Sequence, residues 1–243
     1  MFDTDNETDE LAVIKAAFIG KADAYSELFS RGGKLLLAGE PAEKSSWYGA
    51  DLAFVVAGGG EKEKISRFKA AIEAAQEAGL LVFAVLVADK PISVSAPLLI
   101  LNPADYTSSK EIGEEIYGMV KIVNDTIAVP GLVNLDLRDI QALLDGKERC
   151  FFAKAIASGK KAACTAAKQV MEYLAVKYAD ARMSKSVIIN VVGSEENINM
   201  FEVNEATSVI AEWLENDDCN VLWGASIDES LGEQVGVYVL LAF

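Results

Sequence analysis

The chain has 243 residues, 51% of them hydrophobic, enough for one large α/β domain or two smaller ones with real cores. A formal charge of −15 and an isoelectric point near 4.5 exclude nucleic acid and anionic lipid as natural direct ligands, because both are polyanions. The chain has no histidine, which removes Ser-His and Cys-His nucleophile pairs and the commonest zinc ligand; Cys150, Cys164 and Cys219 follow no metal-binding spacing and fit reduced thiols, so no metal site is expected.

Residues 1–10 form an acidic, polar tail, expected to be disordered. The tail lacks the pattern of a signal peptide, no apolar run reaches the length of a membrane span, and the expected compartment is the cytoplasm. Residues 11–20 (LAVIKAAFIG) read as a buried strand, followed by a short helix around 22–30, a Gly32-Gly33 break and a second strand at 34–38. Residues 51–57 (DLAFVVA) read as a third strand that runs into Gly58-Gly59-Gly60 and a helix over about 61–78, ended by Gly79. Strands at 80–87 and 97–101 follow. Apolar strands alternating with helices predict a parallel, Rossmann-like sheet covered on both faces.

In residues 108–128 the apolar positions Ile112, Ile116, Met119, Val120, Val123 and Ile127 recur at helical spacing. Further on, strands are predicted at 150–156, 186–192, 220–226 and 234–242. Helices are predicted at 160–179 and from Asn199 or Glu202 to about 215. That order predicts a smaller α/β domain with its helices packed on one side. Trp47-Tyr48 reads as local packing, Trp223 as core or interface, and Phe151-Phe152 as one buried and one partly exposed ring.

Between the long helix and this second half lies Val129-Pro130-Gly131-Leu132-Val133-Asn134-Leu135-Asp136-Leu137-Arg138-Asp139-Ile140. The Pro-Gly pair stops one helix, Asn134 and Asp136 are natural caps for the next, and Asp139 follows three positions later. Two carboxylates then project near each other at one exposed helix end. From the residues alone, a capped turn with solvated acids and a reactive acidic loop are both open. The whole string resembles the synergy loop of the FtsZ family, bacterial relatives of tubulin, whose pattern is close to PGL-(I/V)-N-(V/L)-D-x-x-D. The run from Ser186 to Gly193, the helix at Phe201–Leu214, Leu222-Trp223-Gly224-Ala225-Ser226-Ile227-Asp228 and the final strand around Gly236 are also similar to that family. The resemblance covers about 129–243 well and 51–91 more loosely.

The resemblance implies a reduced Rossmann-like parallel-sheet N-terminal domain (11–106) and a central helix (107–129). A synergy-type loop (130–139) and a smaller α/β C-terminal domain of the tubulin/FtsZ type (140–243) follow. It further implies that Asn134, Asp136 and Asp139 enter the nucleotide pocket of the next subunit and position the water that attacks the GTP γ-phosphate. The implied cofactor is GTP or GDP with Mg²⁺. The implied partner is another copy of the chain, in a homo-oligomer or filament, or an FtsZ-type relative.

The other half of such a site is the phosphate cradle, where glycines at a strand end expose backbone N–H groups to an anion at a helix start. Gly20, Gly58, Gly59 and Gly60 are its candidates, and Glu114, with Glu115 beside it, is the positional match for the carboxylate that reads guanine. A solvated helix face is the other reading of Glu114. Where the FtsZ family has GGGTGTG, this chain continues its three glycines with Glu61-Lys62-Glu63-Lys64, and the segment between Pro91 and Ser108 is shorter than in that family. Acids in the first helical turn satisfy the dipole and repel a triphosphate. Three readings follow. One is an assembly or regulatory component with a degenerate GTP site. Another is a GTPase in which Lys62 or Lys64 repairs the pocket and a neighbour's Asp136/Asp139 loop completes it. The last is a small-molecule-binding protein that uses the cleft beside Gly58.

Overall fold

The computed structural model describes residues 13–20, 22, 36–128 and 131–243. The acidic tail at 1–10, most of the helix expected near 22–30, the Gly32-Gly33 break and the Val129-Pro130 helix stop lie outside the described residues. Strands β1 (Ile14–Gly20), β2 (Leu36–Leu37), β3 (Leu52–Gly58), β4 (Leu81–Val87) and β5 (Leu98–Leu101) form one parallel sheet in the order β2-β1-β3-β4-β5. The side chains of β3 are buried along its whole length, as a strand covered on both faces requires. Helix α1 (Lys62–Glu77) returns the chain from β3 to β4 and covers one face with Phe68, Ala71, Ile72 and Ala75. On the opposite face Phe54 and Phe83 stack with ring centroids 5.2 Å apart.

Helix α2 (Ser109–Ala128) lies against that opposite face. Five of the six positions of the apolar stripe read from the sequence are buried: Ile116, Met119 and Val123 have no exposed surface, Ile112 and Val120 have little, and Ile127 is partly buried. Fully burying side chains of this size contributes about 1.5–3 kcal/mol each. The far side of the helix meets the second sheet, so one continuous cluster runs from Phe54 and Val85 through α2 to Phe152, Ile188 and Leu240.

That second sheet comprises β6 (Gly131–Val133), β7 (Cys150–Ser158), β8 (Ser186–Gly193), β9 (Asn220–Ile227) and β10 (Gln234–Ala242), in the order β6-β9-β8-β10-β7. β8 and β9 run parallel, and the other pairs are antiparallel. Between β6 and β7 lies a short helix, α3 (Leu137–Leu144). Helices α4 (Ala162–Lys177) and α5 (Met200–Trp213) pack on each other and on the face turned away from α2. Asn199 caps α5, its side chain accepting from the N–H groups of Phe201 and Glu202 at 3.1 and 3.0 Å. The sheets also meet at a seam, where the Leu98 N–H at the start of β5 donates to the Glu148 carbonyl at 3.1 Å, beside the entry to β7.

The expectation of one partly exposed ring at Phe151-Phe152 is corrected. Both rings are buried, because both faces of this sheet are covered. Phe152 points to α2, and Phe151 stacks on Tyr178 at 3.7 Å on the α4 side.

Gly118, inside α2, is where Phe152 reaches the helix backbone: a Cβ there would lie 2.9 Å from Phe152 Cζ. Two effects compete in Gly118→Ala. Helix propensity favours alanine by about 1 kcal/mol, whereas overpacking a fixed core costs about 1–3 kcal/mol. Phe152 is fully buried between a sheet and a helix and cannot step aside. Gly118→Ala is therefore expected to lower the urea midpoint; an unchanged or raised midpoint would show that the ring relocates freely.

Candidate functional site

β1, β3 and β4 end in register at Gly20, Gly58 and Val87, on one edge of the first sheet. The chain leaves β1 toward β2 on one side and β3 toward β4 on the other, and ligands of open α/β sheets bind at such a switch point. A cavity of about 520 Å³ opens there, walled by the Gly58–Gly60 turn, Asp89, Tyr106 and the first turn of α2. The four candidate glycines therefore share one edge.

What stands on those glycines is the chain's own side chains. Gly59 has φ +100°, and its N–H donates to the Val87 carbonyl at 3.0 Å, so that donor is already used. The Glu61 carboxylate folds back over Gly59, and Lys64 Nζ donates to it at 2.9 Å. The stem of Lys64 crosses Gly20, at φ +68°, closely enough that a Cβ there would sit 2.8 Å from its Cδ. The second helix start at this edge is closed in a similar way. The Thr107 N–H donates to the Glu111 carboxylate at 2.9 Å, the Thr107 hydroxyl donates to the same group, and the Glu111 N–H donates to Ser108 Oγ at 3.3 Å. The hydrogen bonds from Thr107 hold the Glu111 carboxyl below its usual range. Both helix N-termini at the crevice thus carry internal carboxylates. Carboxylates stand where an anion would meet each helix start, and among the described residues no group of three or more acidic or cysteine side chains could hold a metal ion.

Glu114 is not brought to the crevice. Its side chain is half exposed on α2 and pairs with Lys110 at 3.6 Å. Its neighbour Glu115 turns inward, 3.9 Å from Lys177 and close to Tyr106; burial pushes its carboxyl up, with Lys177 and Lys154 opposing.

The acidic loop lies past the other end of α2, a helix about 30 Å long at 1.5 Å per residue. Its first residues form β6, pairing Gly131 with Ser226 and Val133 with Ala225 of β9. Gly131 is required by that approach, since a Cβ would run into the Ala225 carbonyl and lie 2.9 Å from Ser226 Cα. The Leu135 N–H then donates to the Thr126 carbonyl at 2.7 Å, which ties the loop to the end of α2. Asp136 caps α3, accepting from the Arg138 N–H at 2.7 Å. Asn134, Asp136 and Asp139 are all exposed, on a backbone held from behind.

Beside β9, the strand with which β6 pairs, lies a polar cluster not singled out from the sequence. Lys121 Nζ donates to Asp125 at 2.6 Å and to Asp228 at 3.0 Å; the Ser226 hydroxyl donates to the Asp125 carbonyl at 3.0 Å, and Asn190 Nδ2 donates to Ser226 Oγ at 3.1 Å. Burial lowers the Lys121 pKa, but its two carboxylate partners outweigh it and the net shift is upward. Two signals were available in the sequence: Lys121 and Asp125 at i,i+4, and a lone asparagine inside the strand SVIINVV.

Residues 152–242 match the FtsZ family, C-terminal domain. The cell division protein FtsZ of Rickettsia conorii is 28% identical over 131 residues, which are 54% of this chain and 29% of that protein, and the FtsZ of Rickettsia bellii is equally similar. The matched stretch thus spans under a third of these relatives' length. Among solved structures, the FtsZ W319Y mutant of M. jannaschii superposes with a TM-score of 0.78, at 17% identity, over 96% of this chain and 91% of that one. The GDP-bound monomer of CetZ1 from Haloferax volcanii gives 0.68 at 12% identity, over 94% and 93%. The architecture is the FtsZ/tubulin-type α/β fold. Together with the match of residues 152–242 to the FtsZ C-terminal domain, it makes this chain similar to a shortened FtsZ. No helix among the described residues is long and apolar enough to cross a membrane.

Two outcomes follow for the loop support. Gly131→Ala should detach β6 from β9, cost roughly 1–3 kcal/mol and make residues 131–139 the first point of limited proteolysis. For Asp228, burial raises the pKa, but hydrogen bonds from Ser230 and Lys121 outweigh it and hold it below 3.8. The folded chain therefore releases this proton more readily than the unfolded chain, so the carboxylate stabilises above about pH 4 and its contribution is lost as pH falls through the lower folded value. In urea titrations, Asp228→Asn should show a shallower loss of stability below pH 4 than the unmodified chain; equal slopes would remove Asp228 from the support.

Proposed function

We propose that the chain is an FtsZ/tubulin-like assembly component with a degenerate GTP site. It acts by offering the loop of Asn134, Asp136 and Asp139 to the nucleotide face of a neighbour, either another copy of itself or an FtsZ-type relative. The observation that carries this reading is the separation of the two half-sites. The acids are exposed at one end of α2, and at the other end the chain's own Glu61 and Lys64 stand against Gly59 and Gly20 beside the crevice. The acids cannot reach their own chain's crevice, so they are useful only to another molecule. Any GTP, and any Mg²⁺ carried with it, would then be held by the neighbour. The names of the relatives, cell division protein FtsZ, support a place in division or a related cytoskeletal process in the cytoplasm. The acidic composition is consistent with protein partners and not nucleic acid.

A second reading, a GTPase with an altered pocket, draws support from the position of Lys64 Nζ, which comes within 3.5 Å of where a Gly59 side chain would begin. GTP binding and sedimentation measured together across protein concentrations separate the two. Under the preferred reading the chain alone shows no saturable GTP binding, co-sediments with a GTP-loaded FtsZ-type protein or with itself, and raises turnover by that partner. Asp136→Ala and Asp139→Ala should cut the added turnover roughly a hundredfold without unfolding the chain. GTP turnover by the chain alone that rises with its own concentration would replace this reading with the second.

A further inference from the structure

Lys177, the last residue of α4, reaches across to the segment that opens α2. Its ammonium lies 5.0, 5.1 and 5.4 Å from the ring centroids of Tyr106, Tyr173 and Tyr178. It donates to the Tyr106 hydroxyl at 3.1 Å and to the Tyr173 hydroxyl at 2.7 Å. A cage of this kind holds a cation by attraction to the negative faces of the rings. One anion stands close by, yet the ammonium does not take it. Glu115 Oε1 is 3.9 Å away, beyond hydrogen-bond length, and is buried without a hydrogen-bond partner, as is the Tyr178 hydroxyl. An ammonium and a carboxylate free to meet would close to about 2.8 Å. Here the tyrosines hold the ammonium instead. A carboxylate oxygen left in that position is costly to keep charged, and far less so when the group carries a proton.

The same ammonium thus has two holders, the cage and the carboxylate, and cannot satisfy both. We propose that Lys177 is a two-position switch worked by the proton on Glu115. With the proton in place the ammonium stays in the cage. Once the proton leaves for solvent, the ammonium moves onto the carboxylate, and the hydroxyls of Tyr106 and Tyr173 lose their donor. Titratable and charged groups surround Glu115 and the cage from each neighbouring element. They are Lys154 from β7, Tyr173 and Lys177 from α4, Tyr178 just after it, and Asp105 and Tyr106 from the segment before α2. Glu114, next along α2, pairs outward with Lys110. Burial raises the Glu115 pKa above the ordinary carboxylate value, and Lys177, Lys154 and a hydrogen bond from Tyr106 oppose the rise without cancelling it. The folded chain therefore keeps this proton to higher pH than the unfolded chain does. The caged arrangement is complete in acid and is lost as pH rises through the folded value. Tyr106 also walls the crevice, so the switch links the end of α4 to that cavity. The switch is independent of any nucleotide reading of the crevice.

The test is a pH titration of the full chain, isotope-labelled only at lysine and followed by nuclear magnetic resonance. The signal read is that of the Lys177 Cε protons, assigned by its loss in Lys177→Arg. Protons held over aromatic ring faces resonate upfield of the ordinary lysine position. In the unmodified chain the signal should lie upfield in acid and return toward the ordinary position as pH rises from about 4 to about 9, with a midpoint above the ordinary carboxylate value. Glu115→Gln should keep it upfield throughout. Tyr173→Phe removes one acceptor from the cage at an exposed position and should move the midpoint to lower pH. A signal that does not move over this range overturns the proposal, as does the same movement in Glu115→Gln. So does a signal at the ordinary position at every pH. If Glu115→Gln does not fold, Tyr173→Phe decides alone, and an unchanged midpoint overturns the proposal.

Discussion

Everything in this molecule is arranged about α2, an apolar rod clamped between two sheets. Ile116, Met119 and Val123 leave no surface to solvent, and one continuous cluster links the first sheet to the second through them. A close-packed interior of this kind has no room to slide by a fraction of a side chain, so the helix keeps the two ends of the chain at a fixed separation. The glycine crevice sits beside its first turn, and the acidic loop follows its last. Buried aliphatic contacts thus set the distance between two chemically active edges, although none of those side chains does any chemistry.

The two edges are built on opposite electrostatic terms. At the crevice, two helix N-termini and a glycine turn create a region suited to anions, and the chain supplies the anions itself as Glu61 and Glu111. At the loop, the acids face solvent on a backbone fixed by Gly131 and by the Leu135–Thr126 hydrogen bond, and β9, with which β6 pairs, is tied to α2 beside the partly buried ion cluster of Lys121, Asp125 and Asp228. A partly buried ammonium shared by two carboxylates resists losing either partner. It makes the loop a rigid platform, and rigidity is what a donated acidic group needs if it is to act on a substrate held by another molecule.

Much of this was legible in the sequence where periodicity or a turn residue fixed the outcome. The helix read at 108–128 is Ser109–Ala128, and the strand read at 234–242 is Gln234–Ala242, because both are long and strongly patterned. Asp136 could be read as a cap from its place before an apolar run, and it is one. Strand β6 was not legible. Three residues beside a Pro-Gly turn carry no alternation, and their pairing depends on β9, some ninety residues away. The inward turn of Glu115 was equally hidden, since an acid on a helix marked by acids reads as solvated until Lys177 and Tyr106 are known to face it. At the crevice, the glutamate–lysine alternation after the glycines pointed to an altered pocket. That Lys64 reaches Gly20 and Glu61 lies back on Gly59 is set by side-chain conformation, which no local pattern specifies.

The seam between the sheets has a mechanical meaning of its own. Besides the buried contacts of α2, the Leu98–Glu148 hydrogen bond joins the edge of one sheet directly to the entry of β7 in the other. It is an amide–carbonyl link worth about 0.5–1.5 kcal/mol net, so any shift of one sheet past the other at this edge has to part it. No polar motif in the sequence advertises that contact.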